Sequence, residues 1–145
     1  MAEKPQSAAS HAKMVPMYHY VTFGLLLASL IYFAFKVFTD FSVERVMFLL
    51  FVMAMVLSTL FGRIFALGVQ DRVIRLEERL RMARVLPPDL HDRIDTISTE
   101  LLIGLRFASD EELEGLVRRA LDGEFADRKA VKLAVQNWRA DHQRI

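Results

Sequence analysis

Residues 43–84 read VERVMFLLFVMAMVLSTLFGRIFALGVQDRVIRLEERLRMAR. The first part is an anchor: from Val46 to Phe61, sixteen residues pass without a charge. A bilayer core takes about 20 apolar residues, so the flanks 42–45 and 62–67 complete a spanning length. Arg63 marks the aqueous end, where a long cationic side chain can reach the headgroups. No proline follows until Pro87-Pro88, so the spacing predicts that the same helix continues into water. Beyond Arg63 the apolar residues Ala66, Val69, Val73, Leu76, Leu80 and Ala83 recur at alternating steps of three and four, which is a heptad seam. Asp71–Arg75 and Glu77–Arg81 are acid-before-base pairs that support a helix at i,i+4. Pro87-Pro88 ends it, because the residue before a proline avoids the helical region. A rod from 43 to 84 would be roughly 60 Å long at about 1.5 Å per residue.

Working backwards, residues 21–38, VTFGLLLASLIYFAFKVF, form a second spanning run. Pro16 suits a first helical turn, Tyr18 and Tyr20 suit the headgroup belt, and Lys36 can snorkel. No small-residue cleavage site follows this run, so it reads as an uncleaved anchor rather than a signal peptide. The connection, residues 39–45 (TDFSVER), is short, which forces an antiparallel hairpin with Ser42 or Asp40 as N-cap of the second helix. Gly24 and Ala28 on the first helix, and Ala54, Ser58, Gly62 and Ala66 on the second, are small residues at four-residue spacing. Such strips let helix backbones approach closely in lipid, and the two are expected to face each other or another copy. Lys4 and Lys13 flank the hairpin on one side, with Arg63, Arg72, Arg75, Arg79 and Arg81 on the other. The positive-inside rule then puts both termini in the cytoplasm.

The expected architecture is all-α. Residues 1–15 are a polar tail, 16–67 a transmembrane hairpin, 68–86 the cytoplasmic extension of the second helix, and 87–145 a small helical domain. Within that domain Ser98, Ser109 and Asp127 are N-cap candidates, the Ser109–Glu112 spacing is a capping box, and Gly123 is a C-cap candidate. The expected domain core includes Leu105, Phe107, Leu113, Val117 and Trp138, the last closing a helical stripe with Ala130, Val131, Ala134 and Val135. No period-2 run competes, so no strand is expected. So small a core needs a further wall. The amphipathic seam Val69, Val73, Leu76 and Leu80 is expected to supply it, in competition with a coiled-coil dimer through the same residues.

Several stretches, QDRVIRLEE at 70–78, LRFASDEE at 105–112 and NWRADH at 137–142, together with Pro16-x-Tyr18-His19 and the hairpin, resemble a bacterial membrane-protein family catalogued only as a domain of unknown function. The resemblance spans most of the chain from about Val15. It implies a bacterial inner-membrane protein and brings no activity.

Composition narrows the chemistry. The net charge of +1 gives no global drive toward nucleic acid. With no cysteine, disulfides, thiolate catalysis and cysteine-based metal sites are excluded. No glycine-rich phosphate loop is present. Of the histidines 11, 19, 91 and 142, only His91 has a possible ligand one turn on, Asp95, which is too few donors for a metal. No catalytic residue, metal or cofactor is expected. Neither spanning run holds a central acid, His or Arg, which argues against a transporter.

Tyr18, His19, Arg63, Gln70, Asp71 and Arg72 form a polar cluster near the expected membrane surface. Arg63, Arg72, Arg75 and Arg79 are candidate contacts for anionic lipid headgroups, at about 1 kcal/mol each. The expectation is therefore a non-enzymatic membrane protein that displays a helical interaction domain to a partner or to copies of itself. Its alternatives are an accessory subunit of a larger membrane complex and a membrane-tethered nucleic-acid-binding module. The last would use Arg118, Arg119, Arg128, Lys129 and Lys132, but interspersed acids weaken it.

Overall fold

The structure, a computed structural model, describes residues 14–141. The polar tail expected up to residue 15 falls almost wholly outside the described residues, as does His142. Every named element is a helix. A π-helical turn, Met17–Thr22, leads into α1 (Phe23–Thr39), followed by α2 (Val43–Val85), α3 (Pro88–His91), a 3-10 turn (Ile94–Thr96), α4 (Thr99–Leu105), α5 (Asp110–Leu121) and α6 (Arg128–Ala134). The described residues divide into two compact units, 14–66 and 67–141, with α2 passing through both.

The helical runs Met17–Thr39, in the first unit, and Val43–Val85, which begins there, are each long and apolar enough to cross a membrane. No residue of α1 is buried; its Leu25, Leu27, Ile31 and Phe35 side chains all stand exposed. The turn between the helices is closed by charge and capping. Arg45 pairs with Asp40 at 2.7 Å, and the Arg45 backbone N–H donates to Ser42 Oγ at 3.3 Å, which satisfies one of the orphan donors of a helix start.

Larger side chains join the two helices. Phe33 stacks on Phe48 at 5.4 Å between centroids, and the Tyr18 hydroxyl donates to the Thr59 carbonyl at 3.1 Å. The small-residue strips do not meet. A methyl group built on Gly24 or Gly62 would find nothing within 4 Å, and Ala28, Ala54 and Ser58 are exposed. The expected close approach through these strips is therefore absent within the hairpin. Contact between the two arms of the hairpin includes the Phe33–Phe48 stack and the Tyr18–Thr59 bond, while Gly24 and Gly62 face open space.

In the second unit the short helices begin where their caps dictate. Ser98 accepts from the Leu101 N–H and Asp127 from the Ala130 N–H at 2.8 Å, while Ser109 and Glu112 form a capping box for α5. Helix α5 ends in a Schellman turn. Gly123 sits at φ +80°, the Glu124 N–H reaches the Arg119 carbonyl and the Gly123 N–H the Ala120 carbonyl, the two bonds that define the motif. Helices α4 and α6 pack through Gly104, where an added Cβ would lie 2.7 Å from Val131 Cβ.

One buried cluster holds this unit together. Leu90, Leu102, Leu105, Leu113, Val117, Phe125 and Val131 belong to it, and so do Met82 and Leu86 from the end of α2 and the residue that follows it. Phe107 is fully buried, and Trp138 is partly buried against the cluster with its ring 4.8 Å from Phe107. Two expectations are corrected here. Trp138 is not on a helix: α6 ends at Ala134, and Trp138 forms an isolated antiparallel bridge with Ala108. The seam is not the domain's wall either. Val69 is 63%, Val73 49%, Leu76 61% and Leu80 53% exposed, while the domain packs on Ile74, Glu78 and Met82.

Candidate functional site

Helix α2 presents two different faces in the second unit. Ile74, Glu78 and Met82, spaced by four, are buried; Val69, Val73, Leu76 and Leu80 lie roughly 170° round the helix at about 100° per residue and are open. A carboxylate in the middle of a buried stripe demands an explanation, since burying an unpaired charge is costly.

The partners of Glu78 come from three parts of the sequence. Arg81 Nη1 donates to Glu78 Oε2 at 3.1 Å, and Arg139 Nη1 approaches Oε1 at 3.4 Å. Arg81 also donates through Nε to Asp110 Oδ1 at 2.8 Å and through Nη2 to the Ala108 carbonyl at 2.8 Å. Arg106, itself buried, stacks over Phe107 at 4.5 Å and sits 3.4 Å from Asp141. Burial pushes the Glu78 carboxyl above the ordinary glutamate range, and the charges of Arg81, Arg139 and Arg106 oppose that rise without cancelling it.

The segment carrying Arg139 and Asp141 is fixed by backbone bonds. Glu112 accepts from the N–H groups of Gln136 and Asn137, both at 3.1 Å. The Ser109 N–H donates to the Asn137 carbonyl at 3.0 Å and the Arg139 N–H to the Phe107 carbonyl at 2.7 Å. Thus the stretches 70–78, 105–112 and 137–141, distant in sequence, converge on one recess of about 720 Å³. Four acids, Glu77, Glu78, Asp110 and Asp141, and four arginines, Arg81, Arg84, Arg106 and Arg139, line it. Opposite charges in equal number leave no net field to attract an ion of either sign. The recess works as a clasp that joins α2 to the end of the domain.

His91 Nε2 lies 2.9 Å from the Leu86 carbonyl, while Asp95 pairs with Arg79 at 3.1 Å, so these two residues serve different partners. Among the described residues no group of three or more potential ligands could hold a metal ion. Arg79, expected at lipid headgroups, is turned to Asp95 instead. The polar cluster near the membrane is divided between the units. In the first, Arg63 lies 5.9 Å over the Tyr18 ring and His19 Nδ1 bonds the backbone of Val15; Gln70, Asp71 and Arg72 belong to the second. The basic residues of α5 are neutralised locally: Arg118 pairs with Asp89 and Glu114, and Arg119 with Glu124.

Sequence reasoning missed Glu78, Arg106, Glu112, Arg139 and Asp141 as a set. The available signal was the four-residue step Ile74, Glu78, Met82, into which Glu78 puts a charge that reads as a solvent face.

No curated protein and no solved structure matches this chain. One family description does, "Family of unknown function (DUF6526)", over residues 1–145. With the all-helical architecture and the two membrane-length helices in place, the chain belongs to that family.

Proposed function

We propose that this protein is a non-enzymatic membrane anchor whose hairpin holds a small helical interaction domain at the cytoplasmic face of a bacterial inner membrane. One observation carries the reading. The domain grips α2 by Ile74, Glu78 and Met82 and leaves the apolar residues Val69, Val73, Leu76 and Leu80 of the same helix uncovered. A continuous apolar stripe in water is unfavourable by about 25 cal/mol per Å², so a stripe that the chain's own domain leaves open is a surface for a partner. The orientation rests on the lysines and arginines flanking the spans. Paired charges in the recess suit a structural clasp rather than a catalytic centre, where a perturbed group needs access to substrate.

A second reading, an accessory subunit of a larger membrane complex, draws on the small residues Gly24, Ala54, Ser58 and Gly62, which the hairpin leaves free for a host helix. The nucleic-acid reading is the weaker one, because two of its five basic residues, Arg118 and Arg119, are paired with acids.

The test is topology with fractionation. Reporter fusions at Met1, Phe41 and Ile145 are expected to score inside, outside and inside, with the protein resisting alkaline carbonate extraction. A C-terminus that scores outside, or a protein released by carbonate, overturns the reading.

A further inference from the structure

We propose that a second copy of this chain covers the open stripe, the two α2 helices running parallel and in register as a two-stranded coiled coil over residues 66–83. The inference rests on the membrane-anchored reading above and names its partner.

Register is the first argument. Ala66, Val73 and Leu80 take the a positions of a heptad, and Val69, Leu76 and Ala83 the d positions. The central layers, Val73 at a and Leu76 at d, have the side-chain shapes that favour two strands. In this register Ile74 and Arg81 fall at b, Met82 at c and Glu78 at f. These are the outward positions of a coiled coil, and they are the ones the chain's own domain covers. The domain and a second helix therefore hold largely different residues of α2, their faces adjoining at the edge of the recess, where Glu77, Leu80 and Arg84 also lie.

Charge selects the direction. In a parallel pair the g residue of one helix meets the e residue five positions on in the other. Arg72 at g then faces Glu77 of the second copy at e, an opposite-sign pair made twice by symmetry. Both side chains are exposed. The next such pair sets Arg79 against Arg84 of the second copy, but Arg79 is turned to Asp95 of its own chain. An antiparallel pair centred on the same stripe would instead set Arg72 against Arg79 of the second copy, whose charge goes to its own Asp95, and would forgo the Arg72–Glu77 attraction. Anchoring adds to this preference. Two copies inserted with the same orientation present their α2 helices in parallel, at the high effective concentration of a shared membrane.

The absence of cysteine makes the test direct. Single variants Val73→Cys, Leu76→Cys and Arg75→Cys are made in the full chain and oxidised in native membranes. Val73→Cys and Leu76→Cys are expected to give covalent dimers and Arg75→Cys, at the outward c position, none. Cross-linking in a mixture of Val73→Cys and Leu76→Cys, but not in either alone, would mean an antiparallel pair and would overturn the proposal, as would equal cross-linking at all three positions or none at any. Leu76→Asp is the second arm. It is expected to turn a dimer in mild detergent into a monomer while the domain stays folded and still melts cooperatively; a dimer that persists overturns the proposal. Carbonate extraction of the same samples separates the two readings. A carbonate-resistant protein without position-specific cross-links sinks the coiled coil alone, and a carbonate-released protein sinks the anchor as well.

Discussion

The Glu112 carboxylate accepts the backbone N–H of Asn137 at 3.1 Å, 25 residues further along the chain. With the neighbouring bond from the Gln136 N–H, it holds the end of the domain against the start of α5. Carboxylates that accept backbone N–H groups are among the stronger hydrogen-bonding partners. Glu112→Ala is therefore expected to release residues 136–141 without unfolding α5. Hydrogen exchange should speed up at Gln136, Asn137 and Arg139, and the Trp138 fluorescence should shift toward that of a solvated indole. Unchanged exchange at these amides would show that the segment is held by other means.

Glu78 gives a pH dependence of defined sign. Its folded carboxyl titrates above the ordinary value of 4.5, so between the two values the folded state binds more protons than the unfolded one. Stability contributed at this position is then highest below the ordinary value and falls as pH rises through the raised one. The difference in unfolding free energy between the natural protein and Glu78→Gln should move against the natural protein as pH climbs across that window. Chemical denaturation at a series of pH values measures it, and a difference that moves the other way would mean that the arginines outweigh burial.

Gly104 is expected to tolerate no side chain. The Cβ of an alanine would meet Val131 Cβ at 2.7 Å and the Arg128 carbonyl oxygen at 3.1 Å, neither of them the movable end of a flexible side chain. Gly104→Ala should cost about 1–3 kcal/mol as overpacking does, read as a lower denaturation midpoint of the domain. Gly115, with nothing within 4 Å, provides the control, and Gly115→Ala should leave the domain at least as stable.

In the hairpin the ranking reverses. Gly62→Leu should be accommodated, since nothing lies within 4 Å of an added Cβ. Phe48→Ala removes the ring stacked on Phe33, worth about 0.5–1.5 kcal/mol beyond its area. Protease resistance of the hairpin in detergent should fall for Phe48→Ala and hold for Gly62→Leu.

What could be read from the sequence was whatever local chemistry decides. The uncharged run from Val46 to Phe61 and the missing prolines after it foretold a continuous α2. Ser98, Ser109, Asp127 and Gly123 marked helix ends because caps act within one turn. What could not be read depended on partners far along the chain. Glu78 reads as solvent-facing until Arg81 and Arg139 are known to surround it, so the cleaner stripe of Val69, Val73, Leu76 and Leu80 took its place as the buried face. Trp138 keeps helical spacing with Ala134 and Val135, yet the N–H groups of Gln136 and Asn137 go to Glu112, and the backbone leaves the helix to reach Ala108.

Met82 and Leu86 have one more implication. Both belong to the core of the domain, and Met82 lies one residue before the last layer of the heptad, Ala83. Melting the domain would release the end of α2 to fray, shortening the stripe that a second copy would grip. Self-association through the stripe and folding of the domain are then thermodynamically linked, and whatever free energy one lends the other must be returned in equal measure. A lesion deep in the domain, such as a clash at Gly104, would weaken assembly without touching the interface, and a stronger interface would raise the melting point of a domain it only borders.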